Sequence, residues 1–184
     1  MNTFLRSAIF LALLAPWAAG AQTSVDVAKS SIVAGFKQMG VPIDGKFQKF
    51  WLDIQFDPAK PELAQVRFDV DVASFDLGDE SYNKEVRSKT WFNAPAFPKA
   101  QFVSSAVKQT AAGRYTVNGK LSIKGKTTDV AIPVTFKKEG AASVFDGALM
   151  IKRLQFNIGE DEWKDTSLVA DDVQLKFHIV TATR

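Results

Sequence analysis

The chain of 184 residues has no cysteine and a single histidine. Without cysteine there is no disulfide framework, so stability must come from the core. Zinc and iron sites built from His and Cys lose their usual ligands. Cys–His and Ser–His–Asp catalysis lose a nucleophile or a well-placed base, because the lone His178 stands between Phe177 and Ile179 at an outward position of an alternating stretch. That spacing predicts a solvent-facing strand residue. No GxxxxGK(S/T) or GxGxxG segment is present to cradle nucleotide phosphates. Neither sign of charge dominates, with 23 Lys and Arg against 20 Asp and Glu. Such a balance gives no reason to expect nucleic acid as a partner.

Long apolar runs are equally scarce. The only one, Ser7 to Trp17, follows Arg6 and precedes Ala19-Gly20-Ala21. It is too short for a hydrocarbon core needing about 20 apolar residues, and it has the three parts of a cleaved secretory signal. The expectation is a signal peptide over residues 1–21, a mature chain from Gln22 in the bacterial periplasm, and no membrane-spanning segment. Residues 22–184 hold no repeat, low-complexity stretch or linker and are expected to form a single domain.

What the chain does have is period-2 alternation. Segments 31–37, 46–56, 64–73, 100–109, 114–123, 128–138, 143–151 and 172–182 read as about eight strands. Short glycine-bearing loops (Ala112-Gly113, Gly125-Lys126, Gly140-Ala141) join four of them into an antiparallel meander. One parity is apolar, as in Val66-Phe68-Val70, Val117-Gly119-Leu121, Ile132-Val134-Phe136, Phe145-Gly147-Leu149 and Leu175-Phe177-Ile179. The interleaved parity is mostly polar, with Arg67, Asp69, Asn118, Lys120, Asp146, Lys176 and His178. A membrane barrel would show a polar lumen instead. The pattern predicts an all-β, eight-stranded antiparallel barrel with a dry interior. Phe47 and Phe50, three apart, require a bulge between them, and Pro133 requires a bulge or an open edge.

Asp79 to Thr90 departs from alternation. Tyr82 and Val86 are four apart, with acids ahead and Arg87 and Lys89 behind, which predicts a short surface helix. With Trp91 and Phe92 it forms either a lid over the barrel mouth or a plug for the end of the core. The acidic run Glu160, Asp161, Glu162 and Asp165 lacks calcium-loop spacing and reads as a solvated loop. An eight-stranded barrel is filled by side chains or holds one small ligand. Gly119 and Gly147 fall on the inward parity, leaving either a cavity or strand bends. Candidate wall residues are Phe36, Phe68, Val70, Phe102, Val117, Gly119, Leu121, Ile132, Val134, Phe136, Phe145, Gly147, Leu149 and Phe177; Tyr82, Val86, Trp91 and Phe92 are candidates for the mouth. Catalysis inside would need an acid or base on the inward parity, and the clean strands have none.

Five ordered blocks carry a family resemblance. GFKQMGVPIDGKFQKFWLDIQFDP (35–58), VDVASFDLGDE (70–80), WFNAPAFPKAQFVSS (91–105), YTVNGKLSIKGKTTDVAIPVTF (115–136) and KRLQFNIGEDEWKDTSLVADDVQLKF (152–177) resemble, in order and spacing, the YceI-like family. The resemblance implies a mostly periplasmic, lipocalin-like barrel of eight antiparallel strands. It implies a polyisoprenoid or similar long-chain lipid as ligand, no reaction, and no cofactor besides that lipid. Gln38 stands where many members have His, and Asn83 and Glu85 where many have an acid and a His. The WFN and FNIGxxEW forms resemble a subgroup found beside cytochrome b561-type proteins, which implies a quinone ligand or a membrane redox partner. A fatty acid or fatty amide ligand, and a filled barrel serving as an interaction module, are the alternatives.

Overall fold

The computed structural model describes residues 23–183; the expected signal segment, residues 1–21, lies outside them. After an edge strand β1 (Thr23–Val25) come β2 (Ser31–Gln38), β3 (Val41–Phe47), β4 (Phe50–Gln55), β5 (Gln65–Asp71) and β6 (Phe75–Asp76). The helix α1 (Glu80–Arg87) follows, then β7 (Lys99–Ala111), β8 (Arg114–Ile123), β9 (Lys126–Glu139), β10 (Ala142–Lys152) and β11 (Asp172–Thr183). All pair antiparallel in one sheet, in the order β4-β5-β7-β8-β9-β10-β11-β2-β3-β6, with β1 on β11.

That sheet curls back on itself. β3 runs on into β4 through Gln48-Lys49, and β5 into β6 through the single turn Val72–Ser74. The pairings β4–β5 and β3–β6 are therefore two halves of one interrupted seam. Backbone bonds from Gln48 N to Ser74 O (3.1 Å) and Asp71 N to Lys49 O (3.0 Å) bridge the interruption. The barrel thus has ten strands rather than the eight expected: the strand predicted over 46–56 takes in the end of β3 and all of β4, and β6 lies past the strand predicted over 64–73. The break resets the phase, so that Phe47 and Phe50, three apart, are both buried. β3 also starts earlier than predicted. Met39 (φ 47°) and Gly40 (φ 80°) form a two-residue hairpin turn, and methionine at positive φ conceals the usual Asn-Gly or Asp-Gly signal.

Two further irregularities serve the interior. A bulge between Ser104 and Ala106 of β7 shifts the inward parity, so Phe102 and Val107 both enter the core. Pro133 sits opposite Thr116 with no bulge toward β8. The β9–β10 ladder ends at the neighbouring pair Val134–Gly147, so the missing N–H falls where the two strands part. Of the two expectations for Pro133, the open edge is the one observed.

The inward glycines leave no void. A Cβ on Gly147 would lie 2.2 Å from the Phe177 ring, and one on Gly119 would lie 2.3 Å from Val103 O and 2.6 Å from the Phe102 ring. Gly45 is covered by Phe75 in the same way, at 2.1 Å. Of the two expectations for Gly119 and Gly147, a cavity is not what is found beside them: the space is taken by rings from adjoining strands. Phe136, expected on the ligand wall, instead joins Phe56, Tyr115 and Phe145. The Phe56 ring centroid lies 5.2, 5.0 and 5.5 Å from those of Tyr115, Phe136 and Phe145. Such edge-to-face contacts close this end of the barrel.

The glycine sites can be tested by adding one methyl. Gly119→Ala should lower unfolding free energy by about 1–3 kcal/mol, since a backbone carbonyl cannot move aside cheaply. Urea unfolding measures it, and an unchanged midpoint would count against this packing.

Candidate ligand cavity and its lid

Above the aromatic plug the barrel encloses a cavity of about 260 Å³. Phe36, Phe68, Val70, Phe102, Val117, Leu121, Ile132, Val134, Phe145, Leu149 and Phe177 line it, as do Tyr82, Val86, Trp91 and Phe92. Gly119, Gly147 and Phe136 do not line it, for the reasons just given. The parity rule missed Val107, hidden by the bulge, and Phe47 and Ile54, hidden by the corner. It also missed Gln38, Glu85, Arg153 and Trp163, which reach the cavity from strand ends and connections.

Two long connections cover the open end. In the first, Asp79 caps α1 by accepting from Ser81 N (2.8 Å) and Tyr82 N (3.2 Å). Buried Asn83 anchors the helix: its side chain accepts from Leu77 N (2.8 Å) and donates to Asp76 (2.9 Å). Val86 and Trp91 point into the core, while Tyr82 stays 56% exposed at the mouth. The segment therefore combines plug and lid.

The second connection is wrapped around one charge. Arg153 is only 2% exposed. Its guanidinium donates to the carbonyls of Ile158 (2.8 Å), Gly159 (3.2 Å), Trp163 (2.5 Å), Val169 (2.7 Å) and Ala170 (3.0 Å). It also lies over the Trp91 ring, 5.7 Å from the centroid. Burial pulls its pKa down, with Asp171 opposing, yet a guanidinium stays charged in proteins. Gly159 (φ 79°) must lack a side chain, since a Cβ there would lie 2.1 Å from Nη1 of Arg153. The FNIGEDEW stretch, Phe156–Trp163, is in this light the cage of Arg153.

A second buried cation stitches the two connections together. Lys124, in the β8–β9 turn at φ 46°, donates from Nζ to Lys89 O (2.9 Å), Asn157 O (2.6 Å) and Glu160 (2.8 Å). The acidic run expected as a solvated loop is in part the partner of this lysine, and Asp161–Lys164 coil as a single 3-10 turn. His178 faces outward, as its parity predicts, but it is not without a partner. Its Nδ1 lies 2.6 Å from Asp146, its neighbour on β10. Among the described residues no group of three or more His, Cys, Asp or Glu side chains is arranged to hold a metal, and no helix is long and apolar enough to cross a membrane.

An antiparallel barrel with an apolar interior, plugged at one end and covered at the other, is lipocalin-like in architecture. Residues 24–181 match the YceI-like domain, and the chain belongs to that family. It is similar to proteins described as UPF0312, at 33% identity over 140 residues in Shewanella baltica (74% of this chain, 73% of that one). In Azotobacter vinelandii the identity is 32% over 123 residues, with 64% of each chain covered; the match spans less than two thirds of that relative. Among solved structures, Burkholderia cenocepacia BcnA is similar with TM-score 0.84 and 53% identity, covering 85% of this chain and 99% of that one. A Saccharophagus degradans domain described as polyisoprenoid binding shares the fold, with TM-score 0.70 and 15% identity over 90% of this chain and 100% of its own.

Acid should loosen the lid. Glu160 is held below the ordinary carboxylate range, first by its hydrogen bond from Lys124, and Asp76 likewise, first by Asn83. A depressed acid adds stability above its unfolded pKa and loses it as pH falls through the lower folded value. Tryptophan fluorescence, reporting Trp91 and Trp163 in the lid, should therefore change as pH drops through and below the usual carboxylate range. Glu160→Gln should shrink that response; an identical titration in the variant would remove Glu160 from this account.

Proposed function

We propose that this chain binds a polyisoprenoid or similar long-chain lipid, quinones included, inside the barrel and carries it through the periplasm, without catalysing a reaction. The observation that supports it best is the cavity wall, which is made almost throughout of aliphatic and aromatic side chains. An unfilled void costs about 24 cal/mol per Å³, so 260 Å³ left empty would cost roughly 6 kcal/mol. That rivals the entire stability of a domain, about 5–15 kcal/mol. A bound chain offsets the cost by replacing the missing contacts, at roughly 25 cal/mol per Å² of apolar area removed from water. The same cavity weighs against a filled barrel serving only as an interaction module. Export by a signal over residues 1–21 fits a carrier whose cargo is insoluble in the aqueous space it crosses.

Organic extraction of the purified protein followed by native mass spectrometry tests this reading. We expect a stoichiometric long-chain lipid. Leu121→Trp, which puts a large ring into the cavity wall, should cut the extracted lipid sharply while the melting temperature is kept or raised. A lipid-free parent protein that Leu121→Trp destabilises would overturn the carrier reading.

A further inference from the structure

Three of the polar side chains that line the cavity lie at its covered end. Gln38 closes β2 on its inward parity, and Tyr82 and Glu85 come from the covering helix α1; all three line the cavity. Among the described residues the Gln38 amide and the Tyr82 hydroxyl make no side-chain hydrogen bond, and Glu85 accepts only a long one, from Thr90 (3.5 Å). These groups are free to meet a ligand.

The buried cations near this end are not free. Arg153 spends its guanidinium on five backbone carbonyls. Lys124 spends its three N–H groups on two carbonyls and Glu160. Lys37 and Lys84 are exposed and do not line the cavity. Lys176 borders it only from the exposed outward parity of β11. A phosphate head arriving at the mouth would meet the Glu85 carboxylate, a like charge, and no uncommitted cation on the inward parity.

We infer that Gln38, Tyr82 and Glu85 form a head-group subsite for an uncharged lipid ending in a hydroxyl, and that this subsite discriminates against lipids ending in phosphate. The hydroxyl donates to the Glu85 carboxylate, a charge-assisted bond, and accepts from the Gln38 amide or the Tyr82 hydroxyl. The inference rests on the carrier reading and adds to it the chemistry of the cargo's polar end.

A delipidated sample titrated with a polyprenol and with the polyprenyl phosphate of the same chain length tests it, followed by quenching of Trp91 and Trp163. The polyprenol should bind at least tenfold more tightly. Glu85→Lys should abolish or invert that preference, while Glu85→Gln should narrow it and keep polyprenol binding, which also reports that the fold is intact. Equal binding of both lipids, tighter binding of the phosphate, or a ratio untouched by Glu85→Lys would overturn the subsite. Binding of neither lipid would overturn the carrier reading beneath it.

Discussion

A guanidinium cannot leave water unless every donor finds a partner, and the Arg153 side chain is almost wholly out of water. Its partners are backbone carbonyls, which belong to no particular side chain and can be supplied only by a chain folded around it. The charge thus dictates the course of residues 154–170. It sets Asn157 in the left-handed region and requires the glycine at 159. It also seats Trp91 against Trp163, with centroids 5.4 Å apart. Lys124 then binds this connection to the one that carries α1. The covered end of the barrel is held by two desolvated cations rather than by strand pairing.

The opposite end is closed by another means. There the Phe56 ring meets those of Tyr115, Phe136 and Phe145 edge to face. Between the two ends, curvature brings neighbouring strands close on the inside, and glycines at 45, 119 and 147 yield their side-chain space to phenylalanines 75, 102 and 177. A ring lying over a glycine keeps the inner surface smooth and apolar where two full side chains would collide. The cavity is what remains when plug, rings and lid are all in place.

Much of this architecture is legible in the residues. Alternation separates the dry face from the wet one, and nearly every inward residue named from β5, β8, β9, β10 and β11 does face the interior. Asp79 and the Tyr82–Val86 spacing mark the helix. What alternation cannot convey is a change of phase. Val107 is hidden by the bulge and Phe47 by the corner, because a single extra residue reverses every later assignment. Nor does a glycine announce whether its absent side chain is filled by a neighbour or by a ligand, since Phe102 and Phe177 belong to other strands. Arg153 and Lys124 were invisible for a related reason. Both look like surface cations, and their burial depends on carbonyls far along the chain.

The division between wall and mouth decides where selectivity can reside. An apolar wall reads its ligand weakly, since one methylene changes affinity by only about 1–3 kcal/mol. Chains of different length or saturation would therefore be poorly told apart by Leu121, Val134 or Phe145. A polar group is another matter, because a hydrogen-bonding site left unmatched carries its full desolvation penalty. In this barrel Gln38, Tyr82 and Glu85 bring such groups to the mouth, where they border the cavity. A molecule entering tail first would bury its chain against an undemanding wall and bring its head to these groups. With the lid cations consumed by the backbone, the sign of that place is set by Glu85.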